Sequence, residues 1–509
     1  MSLPTTTIKN DEAGTREWLG LAALSLPTLL ISIDTSVLYL ALPHLSADLH
    51  ANSSQQLWVM DIYSFMIAAF LITMGNLGDK IGYRKLLIMG SAAFGLASIV
   101  AAFSPNVNIL IVARGLMGVA GATIMPSTLA LIRNMFVNSK QRNTAISVWM
   151  SCFMAGMIIG PLVGGTVLEH FWWGAVFLLG VPVMVIIVFA GRIILPEFDH
   201  GNARQSDIAG VIYSLSAILP FIYGLTELSR NNLHLYPIIA IIIGFIFGIK
   251  FLRHERKTPD PLIDFGLFKS KIFSLTLTAM LLTAVVMGGI ALFIAQYLQI
   301  VLGLSPLHAG LWMIPQAIGM IGGSMIVPAI ATKIGSGVTI TIGLFITTIG
   351  MLLIANTPAA NGLFLLETGF ITAVIGVSPL LVLGTGIVLG SAPAEKAGAA
   401  ASISETSNQL GIALGVAFLG SIGTVAYRKT IIKHLPPGLS TELSKRVSES
   451  IVGASSVANE RGGQHRISLM MSAKQAFITG LHTTAATGAV IFVLLMLITA
   501  FGLSKLIQQ

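Results

Sequence analysis

The chain has 509 residues, 54% of them hydrophobic and 10% charged, with a formal net charge of +8. A soluble domain carries about 25% charged residues, so most of this chain must lie in lipid; its bases are scattered through short connections, which argues against a nucleic-acid binder. The one cysteine, Cys152, sits in an apolar stretch, excluding a disulfide framework and a thiolate metal cage.

Met1–Glu17 is polar, and the first apolar block outruns a signal-peptide core without a small-residue cleavage site. It is expected to remain as a first transmembrane helix. Apolar blocks of roughly 18 to 28 residues then recur, the length a helix needs to cross about 30 Å of hydrocarbon. Lipid offers no partner to an open backbone group, so helices are the expected element. The predicted spans are 18–42, 56–77, 85–103, 108–130, 144–166, 173–195, 207–228, 235–253, 272–298, 308–331, 338–355, 363–390, 399–427 and 475–503. With the N-terminus inside, the cytoplasmic segments hold 19 Lys/Arg and the short external loops only Arg230. That asymmetry fixes the predicted orientation, because bases in short loops resist translocation. The external segment 428–474 carries eight more, but long loops cross largely regardless of charge.

Fourteen spans put both termini in the cytoplasm, and the basic stretches 192–204 and 250–271 divide the chain into six, two and six. The expected units are a six-helix bundle over 1–195, an inserted helix pair with its linkers over 196–271, and a second six-helix bundle over 272–509. Repeated halves around a central cavity are a common transporter plan. Within 428–474, the spacing of Leu443, Val447 and Ile451 predicts a short surface helix over 440–452.

Several motifs stand at informative places. Between spans 2 and 3 lies Gly75-Asn-Leu-Gly-Asp79-Lys80-Ile-Gly82-Tyr-Arg84-Lys85, with glycines for a tight turn, a carboxylate suited to a helix N-terminus and bases that hold the loop inside. Span 5 contains Gly156-Met-Ile-Ile-Gly160-Pro161-Leu-Val-Gly164-Gly165, which sets small residues on one face and a proline in the helix. Span 4 contains Arg114-Gly-Leu-Met-Gly118-Val-Ala-Gly121, and span 1 contains Asp34-Thr35-Ser-Val-Leu-Tyr-Leu-Ala41-Leu-Pro43. Span 2 opens with Gln56-Leu-Trp58-Val-Met-Asp61-Ile-Tyr63-Ser64.

Together these motifs resemble the major facilitator superfamily, and within it the fourteen-span drug:proton antiporters that export quaternary-ammonium compounds. The resemblance runs over the whole chain. It implies the major facilitator fold, all α, with two six-helix bundles and two inserted helices. It further implies that Asp79 docks at a second-half helix and helps hold the cytoplasmic side shut, and that the span-5 run is the antiporter signature. Some polyspecific relatives carry a further acid in span 10; here 315–328 has none, and Glu405 in span 13 is followed by Asn408 and Gln409 rather than an acidic cluster. Monovalent cations are therefore the expected substrates.

A charge in mid-membrane costs at least ~2.5 kcal/mol, so intramembrane ionisable residues are functional suspects. Asp34, Asp61 and Arg114 fall in the outer half of the first repeat, and Glu405 near the inner end of span 13. These four are the predicted proton-coupling and substrate-binding residues, the alternative for Arg114 being that it neutralises an aspartate as a structural pair. Glu227 and Glu367 stand close enough to external helix ends to be wet. Trp58, Tyr63, Trp149, Phe153, Tyr297 and Trp312 could line a pocket for a flat cation through cation–π contact, against the simpler role of packing or interface anchoring.

The glycines of spans 5 and 12 follow no strand and precede no Walker-type lysine, so ATP is not implied. No HExxH, GxSxG or clustered histidine set suggests an enzyme. The reading is a proton-coupled exporter of lipophilic cations, working by alternating access as a monomer in a bacterial cytoplasmic membrane, with no cofactor beyond protons and no metal. Export or flipping of an endogenous amphiphile, such as a lipid, is the alternative.

Overall fold

The computed structural model describes residues 13–197, 207–228, 235–258, 266–359, 361–391, 397–435, 439–461 and 463–503. Eighteen α-helices follow one another: α1 (Thr15–Asp48), α2 (Ser53–Ile81), α3 (Tyr83–Ala102), α4 (Val107–Met135), α5 (Ser139–His170), α6 (Ala175–Leu178), α7 (Gly180–Ile194), α8 (Ile208–Leu228) and α9 (Leu235–Glu255). After these come α10 (Lys271–Gln296), α11 (Pro306–Trp312), α12 (Ile314–Ile334), α13 (Ser336–Ile354), α14 (Leu363–Gly390), α15 (Ala397–Ile432), α16 (Thr441–Glu449), α17 (Ile451–Arg461) and α18 (Gly463–Ile498). Polar side chains start many of them: Asn52, Asn106, Ser270 and Ser305 accept from backbone N–H groups three residues on, as N-caps should.

Twelve segments among the described residues are long and apolar enough to cross a membrane. The two other predicted spans are also helices, the 29 residues of α2 and the 21 of α8. α2 lies between α4 in its own half and α15 in the other. The sixth and tenth predicted spans are each broken into two pieces, α6–α7 and α11–α12.

The first bundle is built from α1 on α5 and α7, α2 on α4, and α3 on α4 and α7. The second packs α10 on α15, α13 on α14 and α18, and α12 on α14. The pair α8–α9 packs on itself, and α8 touches both α2 and α15. A shared turn betrays the repeat. Gly82 ends α2 at φ +94° and Gly335 ends α12 at φ +85°, each preceded by Lys-Ile and each donating its N–H to a carbonyl four residues back at 2.9 Å. Left-handed backbone of this kind favours glycine. The side of the molecule with these turns is called the turn face below.

The opposite side carries α16 and α17 and is called the cap face. The predicted 440–452 helix is thus two helices, reaching Arg461, while the supposed loop opens on the last turn of α15, to Ile432, and closes on the first turns of α18, which starts at Gly463. Val447 and Ile451 are buried, as their spacing predicted. The cap belongs by chain to the second bundle, where the Tyr427 hydroxyl donates to the Val447 carbonyl at 2.8 Å. It also reaches the first: the Ser53 hydroxyl donates to the Glu449 carbonyl, and the Gln56 amide to the Ser450 hydroxyl at 3.3 Å.

Candidate functional site

Arg114 is the largest fully enclosed side chain of the core, 1% exposed. Its Nη1 donates to Asp34 Oδ2 at 2.7 Å, joining α4 to α1. The guanidinium lies 4.4 Å from the centroid of the Tyr63 ring and 5.9 Å from that of Phe177, so aromatic faces from α2 and α6 support it above and beside the ion pair. The cation that the Tyr63 ring faces is the protein's own arginine. Buried ion pairs repay desolvation only with good geometry and extra partners, and this one has both a short contact and two rings. The Arg114 Nε atom has no partner among the described residues.

Asp61 stands two residues before Tyr63 and is 1% exposed, yet both its carboxylate oxygens lack a partner among the described residues. Its position explains the enclosure. Four residues to either side, Leu57 would meet any Cβ on Gly420, and Phe65 packs with Ala413 and Ala417, all on α15. Helix positions four apart share a face, so Asp61 lies on the seam where the two bundles join. The sequence places Asp34, Asp61 and Arg114 in one half of the first bundle, and the structure gathers Asp34, Arg114 and Tyr63 into one cluster with Asp61 on the adjoining turn of α2.

Glu405 is separate. It lies eight residues into α15 from the turn-face end, half-buried, and accepts from its own helix neighbour, Gln409 Nε2, at 2.9 Å. Two acids set aside as wet behave differently. Glu227 accepts from the Ser54 hydroxyl at 3.0 Å, pinning α8 to the start of α2. Glu367, by contrast, is only 4% exposed with both oxygens enclosed. Distance from a helix end does not measure wetness here, because α13 and α14 approach closely, through Gly350 and Gly369, and cover that turn sideways.

The predicted aromatics divide. Trp58 packs against Tyr223 of α8, ring centroids 6.3 Å apart, and so docks the inserted pair. Tyr297 is fully buried and donates to the Pro358 carbonyl at 2.9 Å, a packing role. Trp312 is 40% exposed on α11. Trp149, 5% exposed with its indole N–H without a partner among the described residues, and Phe153, one turn on in α5 and half-buried, remain as candidate walls.

The small residues of α5 serve two neighbours rather than the single face predicted. A Cβ on Gly156 would lie 2.5 Å from the Leu29 carbonyl, one on Gly160 1.9 Å from Ser36 Oγ, and one on Gly164 2.6 Å from Val37, all on α1. Gly165 and Pro161 face α11 instead. A Cβ on Gly165 would sit 2.7 Å from the Pro306 carbonyl, and one on Gly310 2.2 Å from the Pro161 carbonyl. The run thus glues α5 into its own bundle and brings it against the other bundle near the cap face.

Near the end of α2, Gly75 approaches Pro126 of α4, and between α2 and α3 Gly82 supplies the left-handed turn. Arg84 pairs with Glu197 and donates to the Leu195 carbonyl at 3.1 Å, while Lys85 reaches Glu197 at 3.3 Å. Slight desolvation would raise the Glu197 carboxyl, but the hydrogen bond from Lys85 and the charges of Arg84 and Lys85 outweigh it and hold it below its ordinary range. The bases therefore clamp the end of α7 in the same bundle. The side chain of Asp79 lies outside the described residues.

The model of the Major Facilitator Superfamily matches residues 24–416. The chain belongs to this superfamily. It is 38% identical to the multidrug efflux pump LfrA of Mycolicibacterium smegmatis over 94% of both chains. It is 33% identical to the methyl viologen resistance protein SmvA of Salmonella typhimurium, over 96% of this chain and 99% of that one. Among solved structures, a bacterial homolog of the human lysosomal transporter Spinster, inward-facing and unoccupied, superposes with a TM-score of 0.69 at 14% identity, covering 97% and 99% of the two chains, which shows the shared fold. This facilitator is a multi-pass membrane transporter.

Proposed function

We propose that this facilitator exports lipophilic, mainly monovalent cationic drugs and antiseptics of the quaternary-ammonium kind in exchange for protons. What carries the reading is the first-bundle cluster: one acid, Asp34, already neutralised by Arg114, and a second, Asp61, enclosed without a counter-charge on the seam between the bundles. An ionised carboxylate left unpaired in such a place is costly, so the closed seam suits the neutral acid. Ionisation of Asp61 would favour parting of α2 from α15. The names of the pumps it resembles, for multidrug efflux and methyl viologen resistance, fit cationic substrates.

In this reading, residues 1–195 and 272–509 are the moving bodies and 196–271 is the inserted pair. The turn face is cytoplasmic and the cap face external, as the distribution of bases requires. The bundles meet on the cap-face side through α5 with α11 and α2 with α15, an arrangement that leaves substrate to enter from the cytoplasm or inner leaflet. Glu405, near the turn face, receives the cation. A drug and a proton compete for the same carboxylates, and that competition couples the two fluxes. One charge crossing 100 mV is worth ~2.3 kcal/mol, about 50-fold in gradient.

The test is uptake of a fluorescent quaternary-ammonium dye by proteoliposomes under an imposed pH gradient. Accumulation that vanishes when the gradient is collapsed is the expected result. Uptake indifferent to the gradient rules out proton coupling.

A further inference from the structure

On the cap face, a cavity of 1120 Å³ opens between the end of α1, the segment from Gln299 to Pro306, α17 and the start of α18. Its polar groups are unevenly charged. Arg466 and Lys474 of α18 line it, and among the described residues neither is in an ion pair. The acid that lines it, Glu460, is already engaged. Arg446 donates to both its oxygens, at 2.9 and 3.4 Å, and this hydrogen bonding holds its carboxyl below its ordinary range. The lining therefore presents two uncompensated positive charges.

Gln299 is the second observation. It lies in a one-turn π-helix, Tyr297–Val301, is 9% exposed, and neither its amide nitrogen nor its oxygen has a partner among the described residues. A buried amide without partners is costly, and π-turns are frequent at functional sites. The same cavity has an apolar wall of Ile467, Met470 and Met471, with Ile467 and Met471 62% and 68% exposed.

We propose that this cavity binds an anionic amphiphile, its phosphate or sulfate head between Arg466, Lys474 and the Gln299 amide, and its hydrocarbon chain along Ile467, Met470 and Met471. A lipophilic cation, the proposed cargo, is repelled by the two bases. A bare anion leaves the apolar wall and most of the volume unused. Because Pro43, His44 and Ala47 of the first bundle and α17–α18 of the second share the cavity, an occupant stabilises the arrangement in which they meet.

The full-length protein in a neutral detergent is titrated with dodecyl phosphate, phosphatidylglycerol, phosphatidylcholine and inorganic phosphate, with binding read by native mass spectrometry and by thermal unfolding. Dodecyl phosphate or phosphatidylglycerol, or both, should bind and raise the melting temperature, roughly tenfold more tightly than phosphatidylcholine, with the advantage lost in Arg466→Gln/Lys474→Gln. Binding of phosphatidylglycerol alone identifies a bilayer lipid as the ligand, and of dodecyl phosphate alone a soluble amphiphile. Met471→Glu, which adds a negative charge at an exposed position of the mouth, should weaken the same ligands should the double variant fail to fold. Equal affinity for phosphatidylcholine and phosphatidylglycerol, inorganic phosphate binding as well as dodecyl phosphate, or variants that bind like the parent would each overturn the proposal. None of these readings depends on whether transport is proton-driven.

Discussion

Asp34 of the first bundle and Glu405 of the second are held by different means. In the first, Asp34, Arg114 and Tyr63 come from three helices and are enclosed together, with Asp61 beside them on the seam. In the second, Glu405 is half-buried and bonded within one turn of its own helix. The difference teaches where a charge can change cheaply. Protonation at Asp34 would strand Arg114 unless helices move, whereas Glu405 can exchange a partner by rotating a side chain. The first bundle is thus suited to link charge to helix movement, and the second to load and release.

The sharpest way to break this contrast is to cut the buried pair. Asp34→Asn removes the counter-charge of an enclosed arginine, so it should destabilise the protein by about 3–5 kcal/mol and abolish gradient-driven export of every cation tested. Asp34→Asn/Arg114→Gln should recover most of that stability but not export. Thermal unfolding and vesicle transport check both. A single variant that transports at the parental rate and still releases protons on drug binding makes Asp34 a structural partner alone.

A smaller effect separates Asp61 from its neighbours. Among the described residues it has no partner to lose, so Asp61→Asn, which imitates the neutral acid, should leave stability within about 0.5 kcal/mol of the parent. Export should nevertheless fall and lose its dependence on the external pH. Unfolding curves and transport at a series of pH values decide it: a large loss of stability would mean that Asp61 has a partner in the resting protein, and unchanged pH dependence would remove it from the coupling scheme.

The mildest change is expected at Glu405→Gln. The half-buried amide can still bond to Gln409, so folding should be unaffected and the KM of only some cations should rise several-fold. Measured across a panel of dyes and biocides, a uniform loss of kcat for all of them would place Glu405 with Asp34 in coupling and erase the distinction between the bundles.

A shared local grammar shows how far the repeat extends. Lys-Ile-Gly closes both α2 and α12 through the same left-handed glycine, yet only the first turn is followed by Arg84 and Lys85, which pair with Glu197. In the second bundle Gly337 and Val338 stand at those positions. The turn geometry is repeated, and the clamp on a neighbouring helix is particular to the first half.

The sequence by itself determined the membrane setting, the helical class, the family and the four principal ionisable candidates, because lipid penalises unpaired polar groups so strongly that each buried charge stands out in an apolar run. It also determined close approach along α5, since glycines at such spacing have few other uses in a helix. Only the tertiary structure decided that Arg114 rests on Asp34 and Tyr63 while Asp61 has no partner among the described residues, and that Tyr297 and Trp58 pack against Pro358 and Tyr223. It alone enclosed Glu367, which lies near a helix end but is covered from the side. Periodicity and composition report a residue's depth along its own helix, whereas partnership depends on which helices meet and at what rotation, and that is fixed by contacts between residues far apart in the chain.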